Sequence, residues 1–115
     1  MLAKTNPTRT KAWQDLRAHH RLMKNCRMQD LFLADPARFI KYSLHFEDIL
    51  LDYSKNIMEG ETLRLLCALA AAAHLPEAIE KMFAGDKINE TENRAVLHTA
   101  LRNLPGYFTG VCLHL

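Results

Sequence analysis

The side chains with the clearest spacing for chemistry lie in the stretch GDKINETENRAVLHTALRN, residues 85–103. Arg94, His98 and Arg102 recur every four residues, so on a helix they would share one face and could bind an anion together. A helix whose histidine is satisfied by packing is the competing interpretation, and it is favoured because histidines in the middle of a helix usually serve packing. The stretch therefore predicts a helix first and an anion site as the alternative.

Two other groups have suitable residue types. Glu47, Asp48 and Asp52 flank a predicted hairpin; a carboxylate pair there could do acid–base work, but acidic turns commonly serve solubility. His19 and His20 are adjacent, and neighbouring positions of a helix point about 100° apart, so they cannot chelate one metal ion together. The sequence contains no zinc-protease, phosphate-loop, dinucleotide or nucleophile-elbow motif. No catalytic, cofactor-binding or metal residue is predicted from these patterns.

Composition fits one globular domain. The chain has 115 residues, 49% apolar and 24% charged. Residues 1–27 carry seven lysines and arginines against one acid, whereas the remainder carries eight basic and twelve acidic groups. A basic arm can contact nucleic acid, but a solvated helix face is favoured because aromatic interleaving and RNA-binding signatures are lacking. No nucleic-acid partner is expected.

The cysteines and the N-terminus indicate a compartment. Cys26, Cys67 and Cys112 are odd in number, far apart and outside any C-x-x-C pair, which favours a reducing compartment without a disulfide framework. Cys67 is expected to be a small core residue. The N-terminus lacks a secretory signal and no apolar run is long enough for a membrane span. We expect a cytoplasmic protein without a membrane partner.

The first half of the chain predicts short helices and one hairpin. Thr10 can cap a helix over Lys11–Met23. A short helical turn over Gln29–Ala34 is followed by a restart, with Asp35 as cap and Pro36 at the first helical position. The inner face of the first helix is expected to hold Trp13, Leu16, His20 and Met23.

Alternation of apolar and polar residues over 41–47 predicts a half-buried strand with Tyr42, Leu44 and Phe46 on one face. Asp48 interrupts it, and Ile49–Leu51 gives a second short apolar run, so a β-hairpin is predicted.

The second half predicts three helices. The first spans Glu59–Ala73, with Leu63, Leu66, Ala70 and Ala73 as its apolar stripe, widened by Leu65, Leu69 and Ala72. The next spans Pro76–Ala84 and ends at Gly85, with Ile79, Met82 and Phe83 inward. The last begins at Asn89, in a capping-box spacing with Glu92, or at Thr91, and runs to about Arg102.

Two segments, FEDILLDYSKN (46–56) and AIEKMFAGDKINETENRAVLHTALRN (78–103), resemble the N-terminal region of the glucose-6-phosphate isomerase family. AWQDLRAHH and LFLADPARF also match in place and order, so the resemblance covers roughly residues 10–103. It implies a cytosolic enzyme of glycolysis and gluconeogenesis that interconverts glucose 6-phosphate and fructose 6-phosphate through an enediol. It also implies a homodimer, a hexose phosphate substrate and no cofactor.

The same resemblance limits what this chain can do alone. Family members are several times longer, and their base, histidine and phosphate-binding residues follow the region present here, so Glu92 and His98 are not the family's catalytic pair. No catalytic, substrate-binding or metal residue is carried onto this sequence. The expected fold is mostly α with one short β-hairpin, the N-terminal helical portion of an α/β sugar-isomerase-type fold.

The ending departs from the family pattern. After Asn103 the chain reads LPGYFTGVCLHL, an uncharged segment with several β-prone residues. We therefore expect an isomerase-like region over 1–103 and a divergent apolar tail over 104–115, in a truncated form that is inactive alone. A tail that caps exposed core is the competing idea. A non-enzymatic interaction protein, which binds full-length isomerase, is the alternative function.

Overall fold

A computed structural model describes residues 2–96 of the chain. In these residues the chain forms five α-helices and one two-stranded antiparallel hairpin. A 3₁₀ turn at Pro7–Arg9 precedes the first helix. The prediction of a mostly helical region with one short hairpin is confirmed for this part. In chain order the elements are α1 (Lys11–Met23), α2 (Met28–Ala34), α3 (Arg38–Lys41), β1 (Ser43–Phe46), β2 (Ile49–Asp52), α4 (Gly60–Ala72) and α5 (Leu75–Ala84).

Helix α1 begins and ends where the sequence predicts. The Thr10 hydroxyl accepts a hydrogen bond from the Trp13 backbone N–H at 3.2 Å, which satisfies one of the free donors of the first turn. The helix packs against α4 and buries Met23. The placement of His20 on the inner face is wrong, because His20 is exposed. The neighbouring His19 reaches α4 instead, with its Nε2 2.7 Å from the Thr62 hydroxyl.

The restart after α2 comes two residues later than predicted. Asp35 does accept a hydrogen bond, from the Ala37 backbone N–H at 3.2 Å. Pro36 and Ala37 lie in a turn, however, and α3 begins only at Arg38. The Asp35 carboxylate closes that turn locally, an alternative that short acidic side chains offer to helix initiation.

The hairpin is confirmed, but its first strand is shorter than predicted, its second strand extends one residue further, to Asp52, and its apolar face is more exposed. Lys41 ends α3, so β1 starts only at Ser43. A two-residue turn at Glu47 and Asp48 joins Phe46 to its partner Ile49, with Glu47 in the left-handed region at φ 52°. Tyr42 is buried as expected. Leu44 and Phe46 are 59% and 56% exposed, because no other element of residues 2–96 covers their face of the hairpin.

Helix α4 buries a different position of its apolar stripe from the predicted one. Within the described part it buries Leu65, which is 5% exposed, whereas Leu63 and Leu66 are 38% and 44% exposed. The reason is the direction of packing: α4 makes its most extensive contact with α1, whose residues lie beside Leu65, and a smaller one with α5. Cys67, predicted to be a core residue, is half-buried.

Helix α5 ends as predicted and starts one residue early. Gly85 terminates it with φ 78°, a left-handed conformation that glycine adopts without a Cβ clash. His74 precedes Leu75 with φ 57°. Ile79 and Met82 are half-buried, but Phe83, expected inward, is 53% exposed.

The predicted helix from Asn89 or Thr91 does not form in the described residues. Glu92 donates its backbone N–H to the Asn89 side-chain oxygen at 3.3 Å, the first half of a helix cap. The chain then folds back, and the Asn89 and Arg94 backbones bond each other at 3.1 and 3.2 Å. A closed turn with Asn93 at φ 52° replaces the first helical turn. The rest of that prediction, up to Arg102, and the tail over 104–115 lie outside the described residues.

The core of residues 2–96 is small. Four apolar side chains are buried there, Met23, Tyr42, Met58 and Leu65, against fourteen large apolar side chains that stay exposed. Within the described part no single helix is long and apolar enough to cross a membrane; α4 and α5 pass that test only together, as a pair bent by 58°.

Candidate functional site

The most enclosed polar cluster in the described residues surrounds Arg38, at the start of α3. The Arg38 side chain is 2% exposed. Its Nε donates to the Ser54 carbonyl at 2.7 Å, and its Nη2 donates to the carbonyls of Asn56 and Met58, each at 2.7 Å. These carbonyls belong to the loop between β2 and α4, so one guanidinium ties that loop to α3.

Aromatic rings complete the surroundings of Arg38. Its guanidinium carbon lies 4.7 Å from the centre of the Tyr42 ring and 5.7 Å from that of Phe32. Tyr42 in turn meets Tyr53 edge-to-face, with ring centres 5.8 Å apart. A buried cation is stable only if nearby groups compensate for its lost hydration. Here the three carbonyl dipoles and the two ring faces stabilise the positive charge in place of a carboxylate. No salt bridge to Arg38 occurs among residues 2–96.

Asp52 and Ser54 fix the other side of the same loop. One Asp52 carboxylate oxygen accepts from the Ser54 hydroxyl at 2.6 Å and from the Ser54 backbone N–H at 2.9 Å. These two hydrogen bonds hold the pKa of the Asp52 carboxyl below its usual value, and the bond from the Ser54 hydroxyl has the larger effect. Ser54 is 1% exposed. Asp52 therefore shapes a turn and has its charge stabilised there.

The hairpin does not bring the candidate carboxylates together. Glu47 and Asp48 form the turn next to the Phe46–Ile49 pair, whereas Asp52 pairs with Ser43 at the opposite end of the strands. Their positions support the interpretation of an acidic, solvated turn and give no acid–base pair.

The predicted anion trio is described only at Arg94. The Arg94 guanidinium contacts the Glu92 carboxylate, with Nε 3.2 Å from Glu92 Oε2, and Nη2 contacts the same oxygen. In this arrangement Arg94 already has an anionic partner. His98 and Arg102 lie outside the described residues, as does Cys112.

A separate cleft lies beside α1. We call it the α1 cleft; its volume is 460 Å³. Helix α1 provides most of its wall, and the start of α4 and the residues before it provide the rest. The side chains that line it are Trp13, Leu16, Arg17, His19, His20, Arg21, Met23, Ile57 and Thr62.

Comparison with known proteins identifies the relationship. The family model of phosphoglucose isomerase matches residues 52–107. This segment therefore carries the sequence pattern of the phosphoglucose isomerase family. The matched segment begins at Asp52, so it contains the loop that Arg38 and Asp52 hold, and it continues through α4 and α5.

The segment that matches phosphoglucose isomerase thus starts at the most enclosed polar cluster of the described residues. Sequence reasoning did not single out Arg38 as part of that cluster. A signal was present: Arg38 and Tyr42 stand four residues apart, a spacing at which a helical cation and a ring meet. Which backbone carbonyls the guanidinium would reach depends on the distant loop, and no local pattern indicates that.

Proposed function

We propose that this chain is a truncated polypeptide of glucose-6-phosphate isomerase, whose described part serves as framework and which does not catalyse isomerisation alone. The full-length enzyme implied by this proposal interconverts glucose 6-phosphate and fructose 6-phosphate. It works in the cytoplasm as a homodimer. The family match over residues 52–107 supports the relationship.

One observation carries the framework role. The polar groups at the start of the matched segment are engaged in internal bonds: Arg38 donates to three carbonyls, and the Asp52 carboxylate accepts from Ser54. Catalysis of proton transfer needs a base within hydrogen-bond reach of the substrate and fixed positive charge at the developing oxyanion. A guanidinium buried under two rings and a loop cannot serve a sugar phosphate, so this cluster supports the fold.

The test is a coupled assay of the purified 115-residue chain. With fructose 6-phosphate as substrate, the rate of glucose 6-phosphate formation is expected to equal that of a mock preparation, and a full-length family enzyme serves as the positive control. Conversion above the mock rate that scales with the amount of chain would contradict the proposal.

A second candidate function, binding to full-length isomerase chains, is favoured by the hairpin. In its register Leu44 pairs with Leu51 and Phe46 with Ile49, so these four side chains share one face. All four are between 56% and 61% exposed. An exposed apolar face of this kind is a common feature of protein contact sites.

Co-expression with a tagged full-length isomerase distinguishes this candidate. The wild-type chain is expected to co-purify, and the Leu44→Ser/Leu51→Ser variant is expected to lose capture. Leu50→Ser is the matched control, because Leu50 pairs with His45 on the opposite face. Co-purification no greater than that of an unrelated protein would end this candidate.

A further inference from the structure

The α1 cleft has an apolar wall and a cationic rim. Trp13, Leu16, Met23 and Ile57 supply apolar surface, and Arg17 and Arg21 supply two guanidinium groups. Its volume of 460 Å³ lies within the roughly 300–1,000 Å³ of small-molecule sites. The cleft is thus large enough for a small molecule and too small for a protein domain.

The positive charge of the rim is not neutralised within residues 2–96. Arg17 and Arg21 are exposed, and neither has a salt bridge in that part of the chain. The nearby acids are engaged elsewhere: Asp15 pairs with Lys11 at 2.8 Å and Glu61 with Arg64 at 2.6 Å. Asp15, Glu61 and Arg64 line a second hollow, which adjoins the α1 cleft at His19; none of these three residues lines the α1 cleft itself.

The spacing of the two arginines suits one acid group. They stand four residues apart on α1, which places their Cβ atoms about 5–6 Å from each other. Guanidinium groups bind carboxylates through paired N–H donors, so two of them can hold one carboxylate from both sides. His19 is tied to Thr62 and fixes the wall between α1 and α4.

We propose that the α1 cleft binds a medium-chain fatty acid, with its carboxylate between Arg17 and Arg21 and its alkyl chain against Trp13, Leu16 and Ile57. The apolar wall favours an alkyl chain over the hydroxyl groups of a sugar phosphate, which would lose hydration there without replacement hydrogen bonds. This site does not depend on the isomerase proposal.

Trp13 gives a direct readout, because it is the single tryptophan of the 115-residue sequence. Hexanoate, octanoate and decanoate are titrated into the full chain while Trp13 fluorescence is recorded. A saturable change is expected, with an affinity that rises up to about fourfold for each added methylene. Decyltrimethylammonium, which has a tail of nearly the same length and the opposite charge, is expected to bind at least about tenfold more weakly than decanoate.

Two double variants distinguish a specific contribution of Arg17 and Arg21 to binding from an effect of total positive charge. Arg17→Gln/Arg21→Gln is expected to weaken decanoate binding at least about tenfold, since charge-assisted hydrogen bonds are lost. Arg9→Gln/Lys24→Gln removes the same charge from two residues that do not line the cleft and is expected to stay within about twofold of wild type. Glutamine favours helices nearly as well as arginine, and circular dichroism checks that each variant folds. Equal affinity in the two variants, equal binding of the cationic amphiphile, no dependence on chain length or no binding at all would overturn the proposal.

Discussion

Replacement of Arg38 by alanine tests the structure most directly. The change leaves the Ser54, Asn56 and Met58 carbonyls without their donors and removes the cation between the Tyr42 and Phe32 rings. A hydrogen bond to a charged group contributes about 1.5–3 kcal/mol. Three that share one side chain are not additive, so we expect the free energy of unfolding to fall by about 3–5 kcal/mol.

That loss is large for this molecule. Domains of this length have an unfolding free energy of about 6–17 kcal/mol at 0.05–0.15 kcal/mol per residue, and four buried apolar side chains in residues 2–96 place this one at the low end. The Arg38→Ala chain is therefore expected to be partly unfolded at 37 °C, with its loop open first.

Urea denaturation followed by circular dichroism measures the global change, and amide hydrogen exchange locates it. Protection is expected to fall most at Tyr53 and Met58, whose N–H groups bond the Tyr42 and Asn56 carbonyls. Arg64→Ala is the matched control, because Arg64 is exposed and its ion pair within residues 2–96 is the surface pair with Glu61; it should cost less than about 1 kcal/mol. A loss of stability no greater than that of Arg64→Ala, with unchanged exchange in the loop, would refute the reasoning.

Three further predictions concern other parts of the fold. Because the pKa of Asp52 is lowered in the folded chain, its carboxylate stabilises the fold above the usual pKa of 3.8, and this stability is lost as the pH falls below that value. Asp52→Asn should therefore flatten the decline of Tm with falling pH. An unchanged decline of Tm in acid would count against the Ser54 contact. Leu65→Ala, at a buried position, should cost about 2–4 kcal/mol in urea titrations, whereas Leu63→Ala should cost less than half as much. Gly85→Ala should lower the free energy of unfolding by about 1 kcal/mol, because φ at this position is 78°. Gly60→Ala should be neutral or stabilising, because an added Cβ there meets open space and φ is not positive. Equal effects at the two glycines would contradict this.

Local patterns predicted the elements well where a single feature sets the boundary. The Thr10 hydroxyl starts α1 and Gly85 ends α5, because a cap needs one residue with the right side chain or the right φ. The hairpin also follows from alternation and a polar turn. Local patterns failed at Asn89: its side chain makes the capping bond to Glu92, but the backbone closes a bridge to Arg94 and no helical turn follows. One hydrogen bond was compatible with both structures, so the spacing could not decide between them.

Burial was the least predictable property. Periodicity identifies apolar faces, but it does not say which other element reaches them. Leu44 and Phe46 lie on the predicted face of the hairpin and remain exposed, and α4 buries Leu65 while Leu63 and Leu66 stay open. Each outcome depends on which surfaces meet within residues 2–96, which is information that the strand or helix itself does not contain.

The sequence by itself determined the start of α1, the end of α5, the hairpin and the family resemblance, because these rest on residue types at fixed short spacings and on the identity of one long segment. Tertiary structure alone decided the role of Arg38. Its guanidinium lies under Tyr42 and Phe32 and bonds three carbonyls that follow it by 16 to 20 residues. A buried cation is stable only where such groups converge from separate parts of the chain, and that convergence exists only in the folded molecule.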